Sequence, residues 1–278
     1  MSPISHWSEP LAPCPRLHLA GVRLQAGPRV LVEHLSMDIA AGQLWCVVGP
    51  NGVGKSTLMG VLAGLRAPDG GEVRIDDTVI AHAARVAPAA LARQRAYLPQ
   101  AVHDTFSMRV HDAVRVGRHP HMNGWGWGRG DDDRVVRDVM TELDLDALTT
   151  RDVLTLSGGE RQRVSLAAAM AQQAPLLLLD EPVAHLDLRH QILVLELLQR
   201  LTSAGRHAAV VILHDLNLAR RYATHALLMS EDGQALHGPA PDVLTPAQCS
   251  RALRTPIVSV SDGLHTALIP DGIDPGKS

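Results

Sequence analysis

The run Gly49-Pro50-Asn51-Gly52-Val53-Gly54-Lys55-Ser56-Thr57 restricts this chain more than any other stretch. It follows an apolar segment, residues 44–48, and precedes a helix-like segment, residues 58–65, so it joins a buried strand to a helix. A glycine, four intervening residues and then Gly-Lys-Ser is the spacing of a phosphate loop. The glycines let the backbone turn its N–H groups inward toward phosphate oxygens, and the following helix adds its positive end. Lys55 then reaches the β- and γ-phosphates, and the hydroxyl of Ser56 is a ligand for Mg²⁺.

The rest of the composition narrows the context. At 278 residues there is ample chain for one large α/β unit or two small ones. The 26 Lys and Arg stand against 29 Asp and Glu, so no basic surface for nucleic acid is expected. With one Phe and two Tyr the core is expected to be aliphatic. Cys14, Cys46 and Cys249 share no metal-ligand spacing and read as reduced thiols. Residues 1–15 carry four prolines and no apolar run of export-signal length, which predicts a disordered tail. No window reaches the roughly 18–20 consecutive apolar residues that span a bilayer, so any service to a membrane runs through a partner.

Before the phosphate loop, residues 17–39 read as two or three antiparallel strands with a turn at Ala26-Gly27-Pro28. After it come a turn at residues 67–71, a strand over 72–80, a helix over 89–95 and a short buried strand ending at Gln100. A helix over 110–116 leads into an irregular stretch, 117–130, whose Gly124-Trp125-Gly126-Trp127-Gly128 suggests a local hydrophobic clasp, with a docking patch as the alternative. Asp131, Asp132 and Asp133 open a helix to residue 143; adjacent positions diverge on a helix, so we read them as a solvated cap and not a metal cluster. Later come a helix over 161–172, a four-leucine strand over 176–179, a helix over 188–202 and a strand over 208–213. A hairpin turning at Glu231-Asp232-Gly233, a small helix from Pro246, a closing strand over 257–260 and a Pro/Gly-rich tail complete the chain, with no internal repeat.

Asp180 and Glu181 emerge where the four-leucine strand ends, followed by Pro182. An acid there is placed to hold Mg²⁺ directly or through water, and the next one to polarise an attacking water as a general base. Ser157-Gly158-Gly159 repeats the logic of the first loop: small residues open a helix whose first N–H groups are free for phosphate.

A phosphate loop followed in order by Gln100, Leu156-Ser157-Gly158-Gly159-Glu160, Asp180-Glu181 and His214 resembles the nucleotide-binding subunits of ABC transporters over residues 17–238. The resemblance implies an α/β fold with a phosphate-loop (RecA-like) core, an N-terminal antiparallel β subdomain and an inserted α-helical subdomain. The expected division is a tail over 1–15, core over 16–100, helical subdomain over 101–173, core again over 174–250 and a C-terminal extension over 251–278. It implies ATP and Mg²⁺ as cofactors. Catalytic roles fall to Glu181, His214, Gln100 and Lys55. Mg²⁺ falls to Ser56, Gln100 and Asp180. The loop Gly49 to Thr57 cradles ATP, while Ser157, Gly158, Gly159 and Glu160 cap the ATP held by a second copy of the chain, with Asp187 crossing that interface. Two transmembrane permease subunits are further implied partners, a periplasmic or extracellular binding protein an indirect one, and no nucleic acid. The implied place is the cytoplasmic face of the membrane, and the groove for the permease includes residues 103–118.

Two departures from the family pattern stand out. No aromatic residue lies about 25 positions before the loop, where Arg23 or Leu24 is the candidate contact for adenine, and Val183 and Ala184 replace hydroxyl residues. Residues 95–100, 116–121, 186–191 and His214-Asp215-Leu216-Asn217 are similar to importers of metal chelates: ferric siderophores, haem or cobalamin. The competing reading is a soluble ABC-type ATPase acting on nucleic acid or the ribosome, which the single unit and slight negative charge disfavour.

Overall fold

The computed structural model describes residues 9–80, 88–101, 106–121, 130–263 and 266–272. β1 (Leu17–Ala26) and β2 (Arg29–Ile39) form an antiparallel hairpin whose turn uses Gly27 in the left-handed region, φ 58°. β3 (Leu44–Val48) leads into the phosphate loop and α1 (Lys55–Leu62). β4 (Gly70–Ile75) and β5 (Thr78–Val79) complete a four-stranded antiparallel sheet in the order β2-β1-β4-β5. The single strand expected over 72–80 is two, because Asp76 takes φ 49° and turns the chain between them.

α2 (Pro88–Gln94) and β6 (Arg95–Leu98) precede a helical region. This comprises α3 (Val110–Arg115), a short 3-10 helix (Val116–His121), α4 (Gly130–Glu142) and α5 (Gly158–Ala171). The chain then returns through β7 (Leu176–Leu179), α6 (Leu188–Ser203), β8 (Ala208–Ile212), α7 (Leu216–Tyr222), β9 (His225–Met229) and β10 (Ala235–Pro239). α8 (Ala240–Val243), α9 (Pro246–Leu253), β11 (Ile257–Ser261) and β12 (Thr266–Pro270) end the described chain.

The second sheet runs β10-β9-β3-β8-β7-β6, parallel except for the edge strand β10. Its central strands are buried on both faces, which is why they read as continuous apolar runs instead of alternating ones. Leu44, Cys46 and Val48 face one core, shared with α5, α6 and the helical region. Trp45 and Val47 face the other, shared with α1 and the antiparallel sheet. The three cysteines are unpaired, and burial pushes their thiols up, Cys46 to about 12 and Cys14 and Cys249 to about 11.

Several expectations are corrected. Asp132 is no solvated cap: it is buried, and its Oδ1 accepts from Arg118 Nε at 2.8 Å. Arg118 also donates from Nη1 to the Ala171 carbonyl and Gln173 Oε1, both at 2.7 Å, so one guanidinium ties the start of α4 to the C-terminal, electronegative end of α5. Asp133 pairs at 3.6 Å with Arg115, and only Asp131 is exposed. Of the tail expected over 1–15, residues 1–8 lie outside the described residues; in the remainder Glu9 accepts from Arg206 at 2.7 Å and Cys14 Sγ donates to the Pro175 carbonyl at 3.5 Å. The closing strand is one arm of the β11–β12 hairpin, held to α7 by Asn217, which donates to the Leu268 carbonyl and accepts from its N–H. Helices α7 and α8, absent from the sequence reading, are short segments of seven and four residues with little periodicity to betray them. The Trp-Gly stretch, residues 124–128, lies outside the described residues.

Arg118→Ala is expected to destabilise the chain by about 3–5 kcal/mol, because it leaves the buried Asp132 carboxylate without its partner. Denaturant unfolding measures this, and the double variant Arg118→Met with Asp132→Leu is expected to recover most of the loss.

Candidate active site

Four parallel strands deliver the sequence-predicted residues to one edge of the sheet. The phosphate loop follows β3, His214 lies two residues past β8, Asp180 directly past β7 and Gln100 two residues past β6, and these strands are neighbours in the order β3-β8-β7-β6. The carboxyl ends of strands in such a sheet form the crevice where ligands bind. Here the placement comes from pairing alone: Leu98, Leu179, Val211 and Cys46 sit side by side across the ladders.

The loop itself is anchored from below. The Val53 side chain is buried, and Gly54, at φ 108°, lies so close to Leu31 that a Cβ would come within 2.9 Å of its side chain. At Gly49 a Cβ would meet the Met229 carbonyl at 2.5 Å, so the glycine is required by the approach of β9. Asn51, Gly52 and Ser56 remain exposed, with Pro50 and Thr57 half-buried. Lys55 Nζ donates to the Gly49 and Pro50 carbonyls at 2.8 and 2.9 Å. Burial lowers its pKa, and the nearby Glu181 and Asp180 carboxylates work against that.

Glu181 is the hub. Its Oε1 accepts from Gln100 Nε2 at 3.0 Å and lies 2.7 Å from His214 Nε2, so three residues separated by as much as 114 positions meet on one carboxylate oxygen. Glu181 takes φ 53°, a left-handed backbone that turns the chain sharply away from β7. Gln162 Nε2 donates to the Glu181 backbone carbonyl at 3.1 Å, a contact the sequence reading missed. No motif marks Gln162 in a single sequence, because its partner is 19 residues away on another element. Asp180 is 1% exposed, and neither of its carboxylate oxygens makes a hydrogen bond among the described residues, although the Ser56 hydroxyl is close enough to favour the charged form. Two orphaned oxygens on a buried carboxylate beside the Ser56 hydroxyl suit a hard divalent cation.

Ser157 caps α5 in a reciprocal box: its Oγ accepts from Glu160 N at 3.3 Å and its own N–H donates to Glu160 Oε2 at 2.8 Å. That hydrogen bond lowers the pKa of Glu160. Glu160 is therefore committed to shaping the helix start, leaving the first N–H groups, at Gly158 and Gly159, without intrahelical acceptors. Gly159 packs against the strap after Glu181, where a Cβ would stand 2.9 Å from the His185 carbonyl. Asp187 caps α6, accepting from His190 N at 2.9 Å. No hydrogen bond or ion pair joins residues 157–160 or Asp187 to the phosphate loop of the same chain among the described residues. Of the two candidates for an adenine contact, Leu24 is fully buried, and Arg23 is exposed beside Gly70; neither side chain hydrogen-bonds to the loop among the described residues. Arg29 does: its Nη1 donates to the Gly52 carbonyl at 3.3 Å.

Known proteins are similar to this chain in sequence and in fold. A hemin import ATP-binding protein of Thermobifida fusca (strain YX) is 42% identical over 223 residues, covering 79% of this chain and 75% of that protein. A cobalamin import ATP-binding protein of Halobacterium salinarum (strain ATCC 29341 / DSM 671 / R1) is 43% identical over 224 residues, 80% of this chain and 54% of that one. Among solved structures, a metal-chelate type ABC transporter in an inward-facing conformation superposes with a TM-score of 0.78 at 26% identity, covering 92% of this chain and 97% of its own. The family model described as ABC transporter matches residues 32–184, and the chain belongs to the ABC transporter family.

Proposed function

We propose that this chain is the ATP-hydrolysing subunit of an importer for a metal chelate, haem, cobalamin or a ferric siderophore. The observation that carries the hydrolytic part is the meeting of Gln100, His214 and Glu181 on one carboxylate oxygen, next to the loop and Asp180. The chelate class rests on the hemin and cobalamin import proteins and the metal-chelate transporter to which the chain is similar.

In this reading the N–H groups of residues 51–57 and the Lys55 ammonium bind the phosphates, the task for which Lys55 is already drawn over the loop by two carbonyls. Ser56, Asp180 and Gln100 hold Mg²⁺, which supplies charge neutralisation at the phosphate oxygens. Glu181 accepts the proton of the attacking water, and His214 and Gln100 orient its carboxylate and the terminal phosphate. The N–H groups of Gly158 and Gly159 cap the nucleotide of a second copy, with Asp187 at the junction, so that two chains enclose two ATP molecules about a twofold axis. Two permease subunits then receive the motion, and a cavity of about 520 Å³ between core and helical region, lined by Tyr97, Pro99, Met108, Val116, His119 and Ala168, is the docking place for one of their segments. Among the described residues no helix is long and apolar enough to cross a membrane, in keeping with a peripheral position on the cytoplasmic face.

Glu181→Gln keeps the shape of the side chain and removes the base. It is expected to leave ATP binding intact and to lower turnover on the order of a hundredfold or more; an unchanged rate would remove Glu181 from the role. The cargo is read by measuring ATPase stimulation of the complex reconstituted with its permease when haem, a ferric siderophore and cobalamin are offered in turn. One of them is expected to stimulate, and silence with all three would overturn the chelate assignment.

Burial raises the Asp180 carboxyl above its ordinary pKa, with Glu181 adding to the rise and Ser56, Lys55 and His214 opposing it. Because the folded value exceeds the unfolded one, ionisation of Asp180 costs stability at neutral pH; that cost starts to fall as pH drops through the folded value and is gone below the unfolded one. Asp180→Asn is therefore expected to raise the melting temperature of the nucleotide-free chain by about 2–4 °C, the response to about 1 kcal/mol, while abolishing Mg²⁺-dependent turnover. Calorimetry without nucleotide, beside an ATPase assay, separates the two effects.

A further inference from the structure

The order of the strands fixes which way a nucleotide lies in the loop. Gln100, Asp180-Glu181 and His214 follow β6, β7 and β8, all to one side of β3. The other side of β3 is β9 and then β10, and the turn joining those two strands meets β2, where Glu33 N donates to the Gly233 carbonyl at 3.1 Å. A triphosphate whose terminal group lies toward Glu181 therefore runs its nucleoside toward β2 and the turn between β1 and β2.

The side chains at that turn are few. Ala26, Gly27, Pro28 and Arg29 are all exposed, and Leu31, two residues on, is pinned beneath Gly54. That contact sets the position of Arg29 relative to the loop, and its guanidinium donates to the Gly52 carbonyl. Arg29 makes no ion pair among the described residues, unlike Arg66 and Arg74 on the same sheet and its connection, which pair with Asp69 and Glu72. The turn has no aromatic residue. Trp45 is buried and stacks on His225 with ring centroids 4.7 Å apart, Tyr222 is buried in α7, and Tyr97 belongs to β6 on the far side of the sheet. Among the described residues, what this turn offers a purine ring is a planar guanidinium without an ion pair, held at the rim of the loop.

We propose that Arg29 stacks on the base of the bound nucleotide and sets much of its affinity; the proposal rests on the ATPase reading above. A guanidinium stacks on an aromatic face through cation–π and dispersion attraction, and here the Gly52 carbonyl already restrains it, so little ordering is left to binding. The contact is with the base and not the phosphates, which the loop amides and Lys55 serve.

The test is calorimetric titration of the full chain and of Arg29→Ala, Arg29→Lys and Arg29→Tyr with ATP and, separately, with inorganic tripolyphosphate. Arg29→Ala is expected to weaken ATP about 3- to 30-fold and to leave tripolyphosphate affinity unchanged. Arg29→Tyr is expected to recover ATP affinity, because it restores a stacking face without a charge, and Arg29→Lys to recover little. The proposal is overturned if Arg29→Ala binds ATP like the parent. It is equally overturned if tripolyphosphate weakens as much as ATP, or if Lys rescues where Tyr does not. Failure of the parent chain to bind ATP would sink the nucleotide reading itself, a different outcome from an Arg29→Ala variant that binds normally.

Discussion

The parallel pairing of β3, β8, β7 and β6 is the constraint on which everything else in this molecule rests. Its register sets Val47 beside Ile212, Leu179 beside Val211 and Leu98 beside Leu179, so four strand ends finish almost level. A slip of one residue in any of them would turn its buried side chains to the opposite face and shift its terminal residue along the edge. Both faces of these strands are packed, so the register is over-determined by two cores at once. The loop, Gln100, Asp180, Glu181 and His214 need no further device to meet.

Once they meet, Glu181 becomes the point through which separate elements communicate. Its carboxylate touches the segment after β6 and the segment after β8, and its backbone carbonyl touches Gln162 on α5. The strap beyond it, with left-handed turns at Glu181 and His185, lies against Gly159 at the start of α5. The first turns of α5 are thus packed against the segment that carries the carboxylate. The other end of that helix is gripped by Arg118, and Arg163 within it donates to the carbonyls of Leu143 and Asp144 at 2.9 and 2.5 Å. Polar side chains buried with their charges compensated join the helical region to the core more specifically than apolar contact alone would.

Residues 116–121 show how a motif acquires a reason. Gly117 is needed because a Cβ there would fall 2.0 Å from the Ala168 carbonyl, Arg118 is the buried staple, His119 and Pro120 line the cavity, and His121 Nε2 lies 2.7 Å from the Gln172 carbonyl. In the sequence they mark a resemblance, and in the fold they form a 3-10 helix packed on α5.

Much was legible in one dimension because local physics leaves marks there. Strands buried on both faces are apolar runs, so 44–48 and 176–179 were read to the residue. Glycines that permit a phosphate cradle, and acids at a strand end, are equally local. What the chain order by itself determined is therefore the set of parts: an α/β fold, a glycine-rich loop between β3 and α1, a second helix start opened by small residues, and the acids, glutamine and histidine that follow three of the parallel strands. Tertiary structure decided the partnerships. Asp132 reads as a surface charge until Arg118 arrives from 14 residues away, Gln162 as an ordinary helix residue until it finds Glu181, and Arg29 as a turn residue until Gly52 lies beneath it. Those assignments depend on which elements pack together, and packing is set by the summed burial of surfaces distant in the chain, a quantity no short window of sequence contains.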